Sequence, residues 1–341
     1  MRSGLNLISK HRGSLMGFAA LWIFINHEWQ YLLSGTGAAF AEQFVKRIGF
    51  CGVDFFFFLS GLGLVFAINK GGLLRFYGRR FSRVLPPFLI MGVIFMIAKD
   101  WTWEVFLKNV TGYHFFAKSI YSMLWFVPAV SVFYLAFPLY YGALRRVANQ
   151  AHFTAAFLAA WVLFSLWAAQ WMRNDLFGFT NRIPVFAAGV LAGWYIREKK
   201  GSFTWISWAM CLLGLTVGLM LSYKTNWEGF YLLVPVSNCC IPNFLIATCG
   251  SFLLAAVMEL LDRYGWFVGK GILKIFGFFG TISLEFYCVQ ETVGKQLRSV
   301  MWGKYDTWLI NLADFLCSLA AALILYGICW GLRRVVGEKK S

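Results

Sequence analysis

The residues best placed to do chemistry lie inside an apolar stretch, SLMGFAALWIFINHEWQYLL, where Asn26, His27 and Glu28 interrupt hydrophobic sequence. A helix rising 1.5 Å per residue carries His27 roughly 17 Å beyond Met16, past the middle of a bilayer core about 30 Å thick. An ionisable group at that depth faces the protein interior or a wet cavity, where such groups mark a substrate path or a site. A histidine kept only for packing could occupy the same place. Two carboxylates are candidates to serve it. Glu28 is adjacent but about 100° round the helix. Glu285, in IFGFFGTISLEFYCVQETVG, lies about 15 Å along its own helix from Ile275, essentially the depth counted for His27. A general-base histidine gains from a carboxylate that fixes its tautomer and stabilises the imidazolium. The depth count therefore predicts a His27–Glu285 pair, with Glu28 as the competing partner.

A second constellation is cationic. In NKGGLLRFYGRRFSRVLPP, Arg79, Arg80 and Arg83 are spaced by three and four and share a helical face, where guanidinium forks can hold phosphates bidentately. Part of this cluster also serves as an orientation signal. In GFCGVDFFFFLSGLGLVF, Asp54 falls roughly 6 Å below the outer surface and His27 about 13 Å below it, so no direct contact between them is implied. Ser60, Gly61 and Gly63 form a small-residue patch suited to close helix approach. Tyr121, Trp125 and Arg182 lie near the outer ends of their segments and, with Asp54 and Gln290, are candidates on the acceptor side. The aromatics between Trp101 and Phe116 read as an interfacial belt, with stacking on sugar rings as the alternative.

The elements that must position these groups are membrane helices. With 60% hydrophobic and 13% charged residues, the 341-residue chain is too apolar for a soluble globular protein. No soluble stretch is long enough for a separate domain, and no cleavable signal pattern opens the chain. Apolar windows predict a single all-α polytopic domain of about ten spans, 15–34, 49–68, 84–99, 123–143, 153–171, 183–196, 204–222, 241–260, 274–292 and 308–331. With both termini cytoplasmic, 20 of the 31 basic residues fall inside, as the positive-inside rule requires. The net charge of +16 is thus a topology signal, and nucleic-acid binding is excluded as a reading. The eight cysteines show no ligand spacing and read as small buried hydrophobes; no metal is expected. No convincing internal repeat of the kind found in many carriers appears.

At these residues the chain resembles the membrane-bound acyltransferase 3 family, and the likeness runs through nearly its whole length. GVDFFFFLSGLGL is similar to that family's G-V-D-x-F-F-x-x-S-G element, and YGRRFSRVLPP to its R-x-x-R followed by proline. MLWFVPAVSVFY resembles its L-W-F-L segment, NRIPVFAAGVLAG its R-x-P-x-F-x-x-G-x-x-x-G, and GTISLEFYCVQ its closing G-x-x-S-L-x-x-Y-L-x-H. The resemblance implies an O-acyltransferase, most simply an O-acetyltransferase. It would draw on cytoplasmic acyl-CoA, with His27 as the essential histidine and Arg80 and Arg83 as the R-x-x-R pair. Two positions depart from the pattern. Met16 stands where a basic residue is often found, with Arg12 one turn earlier and able to reach back, and Gln290 replaces the closing histidine.

The expected reaction moves an acyl group from acetyl-CoA or another acyl-CoA to a hydroxyl of a cell-surface or exported glycan, or of a lipid-linked sugar. His27 acts as general base and the arginines Arg79, Arg80, Arg83 and Arg12 dock the donor. The donor is a substrate, and no bound cofactor is expected. The resemblance implies an integral protein of a bacterial inner membrane, with a homo-oligomer left open. The rival reading is a proton-coupled carrier that uses His27, Glu285, Glu28 and Asp54 as a relay.

Overall fold

In hydrocarbon, backbone polar groups find partners only within helices or closed barrels, and every regular element among the described residues is an α-helix. The computed structural model describes residues 4–68, 71–118, 123–171, 176–200, 203–232 and 240–335. Tyr121 lies outside them. In chain order the helices are α1 (Gly4–His27), α2 (Ala39–Arg47), α3 (Cys51–Ala67), α4 (Gly72–Ala98) and α5 (Trp103–Val110). There follow α6 (Tyr113–Ala117), α7 (Phe126–Arg146), α8 (Gln150–Ala168), α9 (Phe177–Thr180) and α10 (Ile183–Arg197). The last five are α11 (Trp205–Glu228), α12 (Ile241–Tyr264), α13 (Trp266–Thr281), α14 (Ser283–Met301) and α15 (Thr307–Val335).

Six helices, α4, α7, α8, α11, α12 and α15, are each long and apolar enough to cross a membrane. Two bent pairs, α2 with α3 and α13 with α14, bring the number to eight if each pair is one span. The protein is thus an integral membrane protein whose described residues are helical and hold six to eight such spans. The other two expected segments, 15–34 and 183–196, fall on α1, which ends at His27, and on the 15-residue α10.

The helices that carry the candidate chemistry form the centre of the bundle. α1 packs on α3, α12, α13 and α14, and α3 packs on α10. These approaches depend on glycine. A Cβ on Gly17 would overlap the carbonyl of Phe276, and one on Gly280 the carbonyl of Gly13, so α1 and α13 meet backbone to backbone. Gly61 and Gly189 do the same for α3 and α10, against the carbonyls of Phe186 and Phe58. Around these contacts Phe55, Phe57, Phe58, Phe137 and Phe286 are fully buried, with tilted and edge-on rings such as Phe57 against Phe133 at 4.9 Å.

The α13–α14 junction decides where Glu285 sits. The two helices are bent by 79°. The hydroxyl of Thr281 donates to Gly277 O at 3.1 Å and that of Ser283 to Gly280 O at 3.1 Å, so side chains compete for carbonyls of the helix ladder. With Gly277 and Gly280 loosening the turn before it, the helix breaks at Ile282.

At the end of the bundle that holds the N-terminus of α1, Glu259, Asp262 and His11 converge. The Lys10 ammonium donates to Glu259 at 2.5 Å and to Asp262 at 2.7 Å, His11 Nε2 is 2.9 Å from Glu259, and Arg263 Nε donates to Glu259 at 2.7 Å. Cations already satisfy these carboxylates, and the network ties α1 to α12.

Candidate functional site

Three arginines form the floor of a cavity of about 250 Å³ between α1, α3, α4, α7 and the α13–α14 break. Arg12, Arg80 and Arg83 line it together with Ser60, Tyr134, Thr281 and Ser283. Its walls towards the histidine end are apolar: Ile23, Val53, Phe56, Phe126, Leu284 and the ring of Tyr287. Tyr287 Oη accepts from the backbone N–H of Phe126 at 3.3 Å, pinning α14 to the start of α7.

Arg12 is placed by a missing side chain. Its Nε donates to Leu59 O at 3.0 Å, and its guanidinium fills the space that a side chain on Gly63 would take, with Nη2 2.7 Å from where a Cβ would stand. Gly61 does serve helix approach, as its spacing suggests, whereas Gly63 makes room for a guanidinium. Arg80 faces the same space from α4, and its buried Nε has no hydrogen-bond partner among the described residues. The Arg79 guanidinium is not part of the lining and donates to Ala67 O at 3.3 Å.

Arg83 corrects the expected His27–Glu285 pair. Its Nη1 donates to Glu285 Oε1, while its Nη2 donates to Glu285 Oε2 at 3.0 Å and to Thr281 O at 2.9 Å. This is a fork-to-fork pair on a carboxylate that is fully buried. The depth count assumed one straight helix from Ile275, but α14 leaves α13 at 79° at Ile282, so the last three residues up to Glu285 run sideways and add little depth. Glu285 therefore stays in the first turn of α14, level with the arginines.

His27 is the last residue of α1 and is exposed. Its Nδ1 lies 3.4 Å from Gln290 Nε2, so its ring partner is an amide and not a carboxylate. Glu28, the other expected partner, turns away into a buried cluster, where its carboxylate accepts from Arg298 Nη1 beside Asp314. Arg12, Met16, Ile23 and His27 nonetheless lie within about 60° of one another round α1. Their common face runs along the cavity, and His27 and Gln290 stand one turn beyond Ile23 and Tyr287, the lining residues nearest them. Arg12 and His27 are about 22 Å apart along the helix axis.

The remaining candidates form a separate site. Asp54, in the first turn of α3, is buried; Arg182 Nε stands 3.5 Å from Oδ1, and Asn243 Nδ2 donates to Oδ2 at 2.9 Å. Cys51 Sγ lies 2.8 Å from the Asn243 carbonyl oxygen. The Arg182 guanidinium also lies 5.5 Å from the centre of the Trp125 ring and donates to Gly178 O. The structure thus brings Asp54, Arg182 and Trp125 together, and with Asn243 they join α3, α7, α9, α10 and α12. None of them lines the cavity.

Each intramembrane carboxylate singled out in the sequence therefore has its own arginine: Asp54 with Arg182, Glu285 with Arg83 and Glu28 with Arg298. They are three separate pairs and not one relay. The sequence reading missed Tyr134, Tyr287, Arg298 and Asp314. Of these, Asp314 was the most visible, being the only acid in the 29-residue apolar α15.

A family model described as an acyltransferase domain, acyltransferase 3, matches residues 15–330. No curated protein and no solved structure matches the chain.

Proposed function

The chain belongs to the acyltransferase 3 family, and from that premise we propose that this membrane acyltransferase moves an acyl group from acyl-CoA, most simply acetyl-CoA, to a hydroxyl of a surface or exported glycan. The observation that carries the reading is one face of α1 that joins a cavity floored by Arg12, Arg80 and Arg83 to the exposed His27. The arginine end is taken as cytoplasmic, following the bias of basic residues along the chain, in the inner membrane of a bacterium.

Arg12 and Arg80 offer guanidinium forks to the donor's phosphates. Arg83 acts mainly through Glu285, holding the α13–α14 break open beside the same cavity. The thin arm of the donor extends along the apolar wall from Ile23 to Tyr287 and brings its thioester to the histidine end. There the neutral imidazole of His27 takes the proton of the acceptor hydroxyl as the oxygen attacks the thioester carbon. The new C–O bond forms, the C–S bond breaks, and the proton passes to the departing thiolate, so the reaction consumes no net acid or base. Gln290 orients the ring: with its side-chain amide turned so that Oε1, otherwise without a partner among the described residues, accepts from Nδ1–H, His27 Nε2 keeps the lone pair that takes the proton. Asp54, Arg182 and Trp125 are assigned to fixing the outer ends of α3, α9 and α10 near the acceptor side.

The test is release of free thiol from acetyl-CoA by the purified protein with an extract of envelope glycans, paired with mass spectrometry of glycans from cells with and without the intact gene. Acceptor-dependent release and a missing acyl mass in the deletion are expected. Unchanged glycans and no release would overturn the assignment.

A further inference from the structure

The deepest cluster of charge at the histidine end belongs to no step above. Glu28 and Asp314 are buried carboxylates from the end of α1 and from α15, and Arg298 of α14 lies between them. Arg298 Nη1 donates to the Glu28 carboxylate and to the Glu28 backbone carbonyl at 3.2 Å, and it stands 3.7 Å from Asp314 Oδ2. Ser318 donates to Asp314 Oδ1 at 3.0 Å. Gly294, one turn before Arg298, is the floor of the cluster: a Cβ there would overlap Glu28 Oε2 and stand 2.7 Å from Asp314 Oδ2.

We propose that Arg298, held between Glu28 and Asp314, is a positioning residue that fixes His27 for acyl transfer. This rests on the reading of His27 as the base. His27 is the last residue of its helix, and the carbonyls of a last turn have no partner within the helix, so an unsupported end frays. An arginine that donates to the terminal carbonyl caps that end and opposes the negative pole of the helix dipole. Here the cap is itself held by two buried acids. The segment just beyond is tied down too, since Gln30 N donates to Asn311 Oδ1 and Asn311 Nδ2 donates back to Gln30 O, each at 2.8 Å. On the other side of α1, Asn26 Nδ2 donates to Lys46 O at 2.9 Å. Round α14, Tyr287, Gln290, Gly294 and Arg298 form one stripe within about 80°. The residue that touches the His27 ring and the residue that caps its helix therefore move as one rigid body.

The experiment measures thiol release from acetyl-CoA, with envelope glycan extract as acceptor, for full-length protein in detergent. Rates are expressed per molecule folded by thermal unfolding. Arg298→Ala is expected to lower kcat by about tenfold or more while leaving the KM for acetyl-CoA within about twofold, because misplacement by an ångström costs rate and not donor binding. Arg298→Lys, which keeps a donor for Glu28 O, is expected to recover most of the rate. Combining Arg298→Ala with Gln290→Ala should cost less than the product of the two single losses, since both act on one ring. If Arg298→Ala does not fold, Asp314→Asn carries the test: it keeps the shape, removes one acid from the arginine and should show the same loss of kcat. A kcat per folded molecule equal to the parent's, alongside an inactive His27→Ala, would overturn the clamp and leave His27 as the base. An active His27→Ala would overturn both.

Discussion

The division of labour between Arg80 and Arg83 makes the sharpest prediction, because the two look equivalent in sequence and differ in partners. Replacing Arg83 with methionine leaves the Glu285 carboxylate, fully buried in the native protein, without its cation. Removing one member of a buried pair typically costs about 3–5 kcal/mol, with the lower end appropriate here because the Arg83 side chain is 36% exposed. Arg80→Met removes a guanidinium whose Nε has no hydrogen-bond partner among the described residues, so stability should change by less than about 1 kcal/mol in either direction. Donor binding should divide the other way. Arg80→Met is expected to weaken CoA by about 1.5–3 kcal/mol, the scale of a hydrogen bond to a charged group. The double change Arg83→Met with Glu285→Leu should recover most of the stability lost by Arg83→Met alone, since a buried ion pair exchanged for apolar groups is often neutral. Thermal unfolding in detergent and calorimetric titration with CoA read the two quantities separately. Should Arg80→Met unfold well below the parent while Arg83→Met matches it, the latch assigned to Arg83 and Glu285 would be wrong.

His27→Ala should reduce acyl transfer by about 10²–10⁴-fold, the usual worth of general-base help, while the protein still inserts; thiol release and membrane fractionation check this. Gly63→Ala should raise the KM for acetyl-CoA more than it lowers kcat, because the new methyl stands 2.7 Å from Arg12 Nη2 and displaces the guanidinium from the cavity; steady-state kinetics at varied donor decide it. Asp54→Asn should lower the unfolding temperature yet leave the KM for acetyl-CoA unchanged, since Asp54 binds Arg182 and Asn243 away from the cavity. A donor effect of Asp54→Asn equal to that of Gly63→Ala would place Asp54 in the donor path.

How far the sequence could be read depended on whether a feature was local. Apolar runs such as those of α12 and α15 are local, because a backbone in hydrocarbon must form helix wherever the run is long enough. The small-residue pattern round Gly61 was legible for the same reason. Glu285 was misplaced because its depth was counted along a helix treated as straight, although GFFGTIS already holds what bends it: Gly277 and Gly280 just before the break, and two hydroxyls bonded to the carbonyls of those glycines. The pairing of buried charges is not local. A carboxylate in an apolar helix announces that it needs a partner, yet Arg83 lies 202 positions from Glu285 and Arg298 lies 270 from Glu28. Helical periodicity carries no information over such distances. Depth alone favours the wrong partner whenever two groups lie at similar counts on different helices. What the sequence could have offered is a tally: Asp54, Glu285, Glu28 and Asp314 set against Arg182, Arg83 and Arg298. With three guanidiniums needed as counterions inside the bundle, few cations remained for the cavity. Arg12 and Arg80 are the arginines on its wall that hold no carboxylate, and this is why donor recognition is assigned to them and not to the R-x-x-R pair as a unit.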